Sequence, residues 1–211
     1  MSLAGLILAG GESRRMGSPK ALLEFGGETF LDRLILILGQ SCSPVIVVLG
    51  HEPQRIKAGL SYADLATFVT NPDYTRGQLS SLQCGLAAVP APAEGVMFTP
   101  VDHPAVRPST VARIARRFQE RPLKELLVVP RFEGQRGHPV CVSNALIPEF
   151  LALPEGAQAR EVIHGHLKQT AYLEVDDPGV LEDIDDPDSY ERLKSGDREL
   201  GRPSQRGTSR Q

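Results

Sequence analysis

Residues 6–20 read LILAGGESRRMGSPK, and this stretch decides how the remainder of the chain is read. An apolar run with the look of a buried strand breaks at Gly10-Gly11 into a short loop carrying Arg14, Arg15 and Lys20. Paired glycines at a strand end let the backbone turn sharply and approach a ligand with no side chain in the way. Three cations so close together then favour a polyphosphate. The spacing fits neither G-x-x-x-x-G-K-[ST] nor G-x-G-x-x-G, so neither common phosphate-loop pattern accounts for it.

Outward from this loop, short β-rich runs at 5–9, 45–49, 66–70, 95–99, 126–130 and 171–175 alternate with helical patterns. Several runs are apolar almost throughout, as expected of strands covered on both faces. Between them Leu31, Leu34, Ile35 and Leu38 recur at helical spacing, as do Val111, Ile114, Ala115 and Phe118, and Leu79, Leu82 and Leu86. The pattern predicts an α/β fold, a mostly parallel central sheet between two helical layers. After Pro130 the rhythm changes. RFEGQRGHPVCVS reads as a loop into a strand, followed by short helical stretches at 146–153 and 160–167, and we expect this insertion to wall an acceptor site. Residues 180–185 read as a last short strand, and Asp186-Pro187 as cap and first turn of a closing helix. The folded unit is expected to be one domain, 1–194. Residues 195–211, SGDRELGRPSQRGTSRQ, carry too little apolar surface to offset the entropy of ordering and are expected to form a disordered tail.

The 211 residues include 41% hydrophobic and 23% charged side chains, ordinary for a globular protein, and suffice for one well-formed core. A formal net charge of -3 supplies no basic field for holding nucleic acid. No leader-like segment and no long apolar run is visible, so neither secretion nor a membrane is expected, and the default address is the cytoplasm. Cys42, Cys84 and Cys141 are odd in number, far apart and outside any C-x-x-C, which suits reduced cysteines buried as small apolar groups.

Leu8, Ala9, Gly10, Gly11, Ser13, Arg15, Met16, Gly17 and Lys20 fall on the pattern L-A-[AG]-G-x-S-x-R-M-G-x-x-K. In this the chain resembles the MobA-like nucleotidyltransferases. The resemblance implies a Rossmann-like three-layer sandwich of the nucleotide-diphospho-sugar transferase type, and transfer of a nucleoside monophosphate from a triphosphate to a phosphorylated acceptor. The glycine loop with Arg15 and Lys20 would clamp the triphosphate, the arginine forking across two oxygens and the lysine acting as a point charge. Arg14, next door, is free to diverge into solvent.

Asp102 ends VMFTPVD at the carboxyl edge of a predicted strand, where open α/β sheets bind ligands. As Asp102-His103-Pro104 it matches the family's acidic D-x-P metal site. LEDIDDPDSY resembles the D-I-D-T-P-x-D motif of the cytidylyl branch; if 180–185 is extended, Asp183 and Asp185 share a face and join Asp102 in holding octahedral Mg2+. Asp186 and Asp188 better fit a helix cap. In 71–86, NPDYTRGQLSSLQCGL, a glycine-bearing loop enters a helix. It resembles the family segment that meets base and ribose, which points to Asn71, Gly77 and Ser81. Arg136, Gly137, His138 and Pro139 match the R-G-H-P signature of the cytidylyl branch, which places Arg136, Gly137 and His138 at the acceptor, with Gly137 allowing close backbone approach and His138 able to hydrogen-bond or protonate near an acceptor phosphate.

The resemblance thus implies Mg2+, a nucleoside triphosphate and a molybdopterin-type acceptor, with a molybdoenzyme as a possible recipient of the product. The motifs divide on the nucleotide. Pro19-Lys20-Ala21-Leu22-Leu23, R-G-H-P and Asp183-Ile184-Asp185 look cytidylyl-like and favour CTP, whereas Gly10-Gly11 looks guanylyl-like. A guanylyltransferase, a transferase for another phosphorylated metabolite, and a non-catalytic protein that binds and delivers nucleotide or cofactor are the alternatives.

Overall fold

The computed structural model describes residues 2–200. In chain order these form β1 (Leu3–Ala9), β2 (Glu24–Phe25), β3 (Glu28–Thr29), α1 (Phe30–Gly39), β4 (Val45–Leu49), α2 (Pro53–Ala58), β5 (Thr67–Thr70), α3 (Gln78–Ala87), β6 (Gly95–Pro100) and α4 (Pro108–Gln119). There follow β7 (Leu127–Phe132), β8 (Gln135–Arg136), β9 (Val140–Ser143), α5 (Ile147–Ala152), α6 (Arg160–Gly165), β10 (Thr170–Glu174) and α7 (Pro187–Leu200).

The main sheet runs β10-β7-β9-β6-β1-β4-β5, with β8 paired to β7 as a hairpin. Pairings β1/β4, β1/β6, β4/β5 and β7/β10 are parallel, while β9 lies antiparallel between β6 and β7. Alternation along β1 makes two cores. Leu3, Ile7 and Ala9 join α1 and α4 through Leu34, Leu38, Val111, Ile114 and Phe118 on one face. Leu6 and Leu8 join α3, α5 and α6 through Leu82, Leu86, Phe150 and Val162 on the other. Side chains such as Leu6, Ile7 and Phe30 are completely covered. Each contributes about 1.5–3 kcal/mol by leaving water, which makes the sheet a rigid base for the loops at its edge.

Two expectations meet a different outcome, and one element was not foreseen. Residues 180–185 are not a strand: Pro178–Val180 forms a 3-10 turn held by the Asp177 carboxylate, which accepts the Gly179 N–H at 3.1 Å, and the residues beyond it are irregular. A two-stranded hairpin, β2-β3, turning at Gly26-Gly27, stands between the first loop and α1, and sequence reading passed over it. The closing helix α7 begins at Pro187 as expected, capped by the Asp186 carboxylate on the Ser189 N–H at 2.8 Å, but it passes the boundary at 194 and runs to Leu200. The remainder of the expected tail, 201–211, lies outside the described residues. Cys42 and Cys141 are buried and Cys84 half-buried, and all three are free thiols. Among the described residues no helix is long and apolar enough to cross a membrane.

Candidate active site

The parallel register of β1 and β6 sets Leu8 beside Pro100, and Val101 N–H donates to the Leu8 carbonyl at 3.0 Å. The loops after these strands therefore leave the same carboxyl edge side by side. On the other flank of β1, His51 N–H donates to the Gly10 carbonyl at 3.2 Å. Gly10 and the Gly50 that ends β4 pass so closely that a Cβ on Gly50 would lie 2.5 Å from the Gly10 oxygen and from Tyr74 Cβ. A Cβ on Gly10 would lie 2.8 Å from Ser81 Oγ. The pair of small residues is thus a packing requirement as well as a way to bring backbone to a ligand.

These loops enclose a cleft of about 340 Å³, lined by Leu8, Ala9, Gly10 and Gly11, by Arg14, Arg15 and Lys20, by Gly77 and Ser81, and by Asp102 and Asp185. At its base Lys20 Nζ donates to Asp102 Oδ2 at 3.0 Å and to Asp185 Oδ1 at 2.5 Å, and Arg15 donates to the other Asp185 oxygen at 3.0 Å. Residues 82 and 165 positions from Lys20 meet on one nitrogen. Burial alone would push the Lys20 ammonium down; the charge of Asp102 and the hydrogen bonds to Asp185 and Asp102 outweigh it and hold the ammonium above the usual lysine range. Asp185 in turn is held below the usual carboxylate range by the hydrogen bond from Lys20, with the charges of Lys20 and Arg15 assisting. Lys20 is also fixed at its backbone, its N–H donating to Ser13 Oγ at 3.0 Å. Arg14 pairs with Glu12 and is largely exposed at the rim.

Ser81 sits in the first turn of α3, 5% exposed. Asn71 stands behind it rather than in the cleft: its side-chain oxygen accepts the Asp73 N–H at 2.9 Å, so its amide donates to Ser80 Oγ at 2.9 Å and Ser81 Oγ at 3.2 Å. With its oxygen accepting from Asn71, Ser81 keeps its O–H proton for the cleft it lines. Asn71 is therefore a support for the serine and not a contact residue. Tyr74, Gln78 and Val101 also line the cleft and were missed by sequence reading, since an isolated tyrosine or glutamine in a loop carries no signature.

The acids expected to act together separate. Asp185 is in the cleft, whereas Asp183 is exposed and lines a different hollow with Phe25, Arg107 and Arg192. With 180–185 irregular, the period-two argument that aligned the two aspartates does not apply. Among the described residues no group of three His, Cys, Asp or Glu side chains forms a metal cage. Asp102 and Asp185 remain as hard oxygen donors on one side of a cleft open to a polyphosphate. That donor set fits a magnesium-type ion, which takes one or two protein carboxylates and completes its shell with phosphate and water oxygens.

Beyond Leu8, Gly77, Gln78 and Pro100, which both share, a second cavity of about 450 Å³ adjoins the first. Its lining is largely apolar, with Leu79, Leu82, Phe98 and Ile163, and carries Arg76, Arg160 and His138 as polar groups. The expected insertion does build its wall, through residues 156–160 and α6. The R-G-H-P motif contributes less than expected. Arg136 is exposed on β8, its guanidinium 5.2 Å from the Tyr172 ring, and lines neither cavity. Gly137 is buried because the Val180 carbonyl would lie 2.2 Å from a Cβ there, so its smallness serves chain packing rather than ligand approach. His138 does reach the second cavity. Its ring lies 4.8 Å from that of His103, and burial, then the neighbouring His103, lowers its pKa to about 3. His103 is likewise lowered by burial, against the pull of Asp102. Both imidazoles are thus neutral behind Asp102, where a second positive charge would compete with a cation.

A glycine loop, two basic side chains and two carboxylates at the carboxyl edge of a doubly covered sheet describe a nucleotidyltransferase of the nucleotide-diphospho-sugar transferase fold. The chain belongs to the family of the MobA-like NTP transferase domain, whose model matches residues 5–171. It is 29% identical over 187 residues to the molybdenum cofactor cytidylyltransferase of Escherichia coli K12, covering 88% of this chain and 92% of that one. It is 30% identical over 205 residues to the nicotine blue oxidoreductase of Paenarthrobacter nicotinovorans, covering 90% and 96%. Among solved structures, Rv0371c of Mycobacterium tuberculosis H37Rv superposes with a TM-score of 0.79 at 27% identity over 92% of this chain and 99% of that one. A complex of Rv0371c with manganese gives 0.75 at 25% identity, with the same coverage.

Proposed function

We propose that the chain is a magnesium-dependent nucleotidyltransferase that moves CMP from CTP to the terminal phosphate of a molybdopterin-type acceptor, releasing pyrophosphate. The observation that carries this reading is the meeting of Lys20 with Asp102 and Asp185 beside the glycine loop. The similarity to a cytidylyltransferase over 88% of the chain supports the acceptor class. CTP is favoured over GTP because the motifs at 19–23, 136–139 and 183–185 are cytidylyl-like and only Gly10-Gly11 is guanylyl-like. Manganese in the complex with Rv0371c supports a divalent cation in this fold.

In this mechanism the glycine-loop backbone and Ser81 hold the base and sugar end, while Lys20 and Arg15 receive the phosphates. A terminal phosphate oxygen of the acceptor, entering from the second cavity, attacks the α-phosphorus as the bond to the β-phosphate oxygen breaks. Lys20 and Arg15 then offset the charge on departing pyrophosphate. No covalent intermediate with the chain is needed, and positioning carries the rate. Asp102 and Asp185 would hold the cation, which supplies further neutralisation of phosphate charge.

The test is incubation of the purified chain with magnesium, each of the four triphosphates and molybdopterin, following pyrophosphate. Turnover with CTP alone is expected. Turnover with GTP alone moves the assignment to a guanylyltransferase, and turnover with a sugar phosphate but not the pterin overturns the acceptor. One observation favours a second reading, the 30% identity to an oxidoreductase over 90% of the chain. On that reading CTP is bound or ignored and no pyrophosphate appears.

A further inference from the structure

The acidic motif ends in Tyr190, a residue the nucleotide site does not use. Its hydroxyl makes two hydrogen bonds to one residue, Glu24: it accepts the backbone N–H at 3.1 Å and donates to the backbone carbonyl at 2.9 Å. Glu24 has both groups free for this because successive residues of a strand point their backbone N–H and C=O to opposite sides. Leu23 turns its carbonyl inward to the Phe30 N–H at 2.8 Å, so the two groups of Glu24 face the opposite way. The ring is set in place by Phe30, edge-on with centroids 5.8 Å apart.

The two segments joined here are the two that carry the central ion pair. Lys20 lies four residues before Glu24 and is tied to it by the Leu23 N–H, which donates to the Lys20 carbonyl at 3.0 Å. Asp185 lies five residues before Tyr190, and its N–H donates to Ser189 Oγ at 3.2 Å in the first turn of α7. On the far side, Ile184 N–H donates to the Asp102 carbonyl at 2.9 Å. Lys20, Asp185, Ser189, Tyr190, Glu24 and Leu23 thus form a closed ring of links between chain segments 165 residues apart. Asp185 itself sits on irregular backbone with no sheet to fix it, and its side chain is 40% exposed. A salt bridge exposed on its acid side adds little to the hold on such a segment beyond the Ile184 bond.

We propose that Tyr190 is a positioning residue: its two bonds to Glu24 hold the Asp185 segment against the Lys20 segment and so set the distance between acid and base in the cleft. The functional weight of that distance rests on the nucleotidyltransferase reading, but the clasp is tested without it. In full-length protein, Tyr190→Phe keeps the ring against Phe30 and removes both bonds. Pulse acetylation with acetic anhydride, read by mass spectrometry, reports how firmly Lys20 Nζ is held. Tyr190→Phe is expected to raise the labelling rate of Lys20 about threefold or more and leave Lys57 and Lys168 unchanged. Asp185→Asn, which removes the partner directly, sets the upper limit, and the double variant should label no faster than Asp185→Asn. Thermal unfolding ensures that labelling is done far below the midpoint, where a residue that only adds stability does not alter Lys20. Unchanged Lys20 labelling in Tyr190→Phe overturns the proposal. Titration with manganese and CTP separates the two claims: if wild type binds no CTP the nucleotide reading falls, while the labelling still decides the clasp.

Discussion

The two cavities lie side by side at one sheet edge, yet they are made differently. The first is built from loops that leave the parallel strands β1 and β6 and from the start of α3, and its floor is ionic: one lysine between two carboxylates. The second is walled on one side by α3 and β6 and on the other by His138, residues 156–160 and α6, and its lining is largely apolar with Arg76 and Arg160 as its cations. A parallel pair delivers two loops to the same edge whatever the intervening sequence, so that cleft is fixed by the topology of the sheet. The second depends on how an insertion of short elements packs. This contrast predicts that charge changes in the first region abolish chemistry, and that shape changes in the second alter only which acceptor is taken.

Lys20→Ala is the sharpest break. It removes what is, among the described residues, the one cation both largely buried and shared by two acids, leaving Asp102 without this partner and Asp185 with Arg15. By analogy with loss of one stabilising donor from a preorganised site, kcat should fall about 10²–10³-fold. The fold should persist, with an unchanged far-ultraviolet circular dichroism spectrum, since the side chain belongs to neither core cluster. A wild-type rate at saturating magnesium removes Lys20 from the mechanism.

Ile163→Glu tests the other side. Ile163 lines the second cavity from α6 and does not line the first. On the proposed reading a carboxylate there would meet the phosphorylated acceptor with like charge and remove apolar surface, so the acceptor KM should rise about tenfold or more while the KM for CTP stays constant. Equal changes in both constants would mean that the two cavities are one site, and the comparison would dissolve.

How much of this was visible beforehand follows the same division. Strand 45–49 falls where its apolar run places it, and all six expected runs are present; β1, β4 and β6 are buried along their whole length and need no partner information to be recognised, while the partly exposed β5 and β10 are found at the sheet's two edges. Asp102 was legible because it follows the end of β6 by two residues, and Lys20 because it closes the motif that starts on β1. The segment 180–185 was not, since the alternation of Asp183, Ile184 and Asp185 imitates a strand while its only buried side chain of the three is Ile184, plugging the core next to irregular backbone. Pro178 and the Asp177-Gly179 bond give that backbone a turn, a preference stronger locally than the pattern. Gly26-Gly27 did announce a hairpin, but two-residue strands carry no periodicity to go with it. The contact of His103 with His138, and that of Tyr190 with Glu24, depend on which chain segments the sheet brings together, and no local spacing encodes them.

Arg136→Ala is the smallest effect and the most direct check on how the R-G-H-P motif divides. Sequence alone assigned Arg136, Gly137 and His138 jointly to the acceptor. In the fold their neighbours differ: Gly137 packs under Val180, His138 lines the second cavity, and Arg136 leans over Tyr172 on the outer hairpin. An exposed cation over an aromatic face is worth about 0.5–1 kcal/mol, so Arg136→Ala should lower the unfolding midpoint slightly and leave the acceptor KM within about twofold of wild type. His138→Ala, by contrast, opens space in the cavity and should raise that KM. If both variants raise it equally, the arginine reaches the acceptor in the working complex, and the second cavity extends to the hairpin rim that the resting geometry leaves outside it.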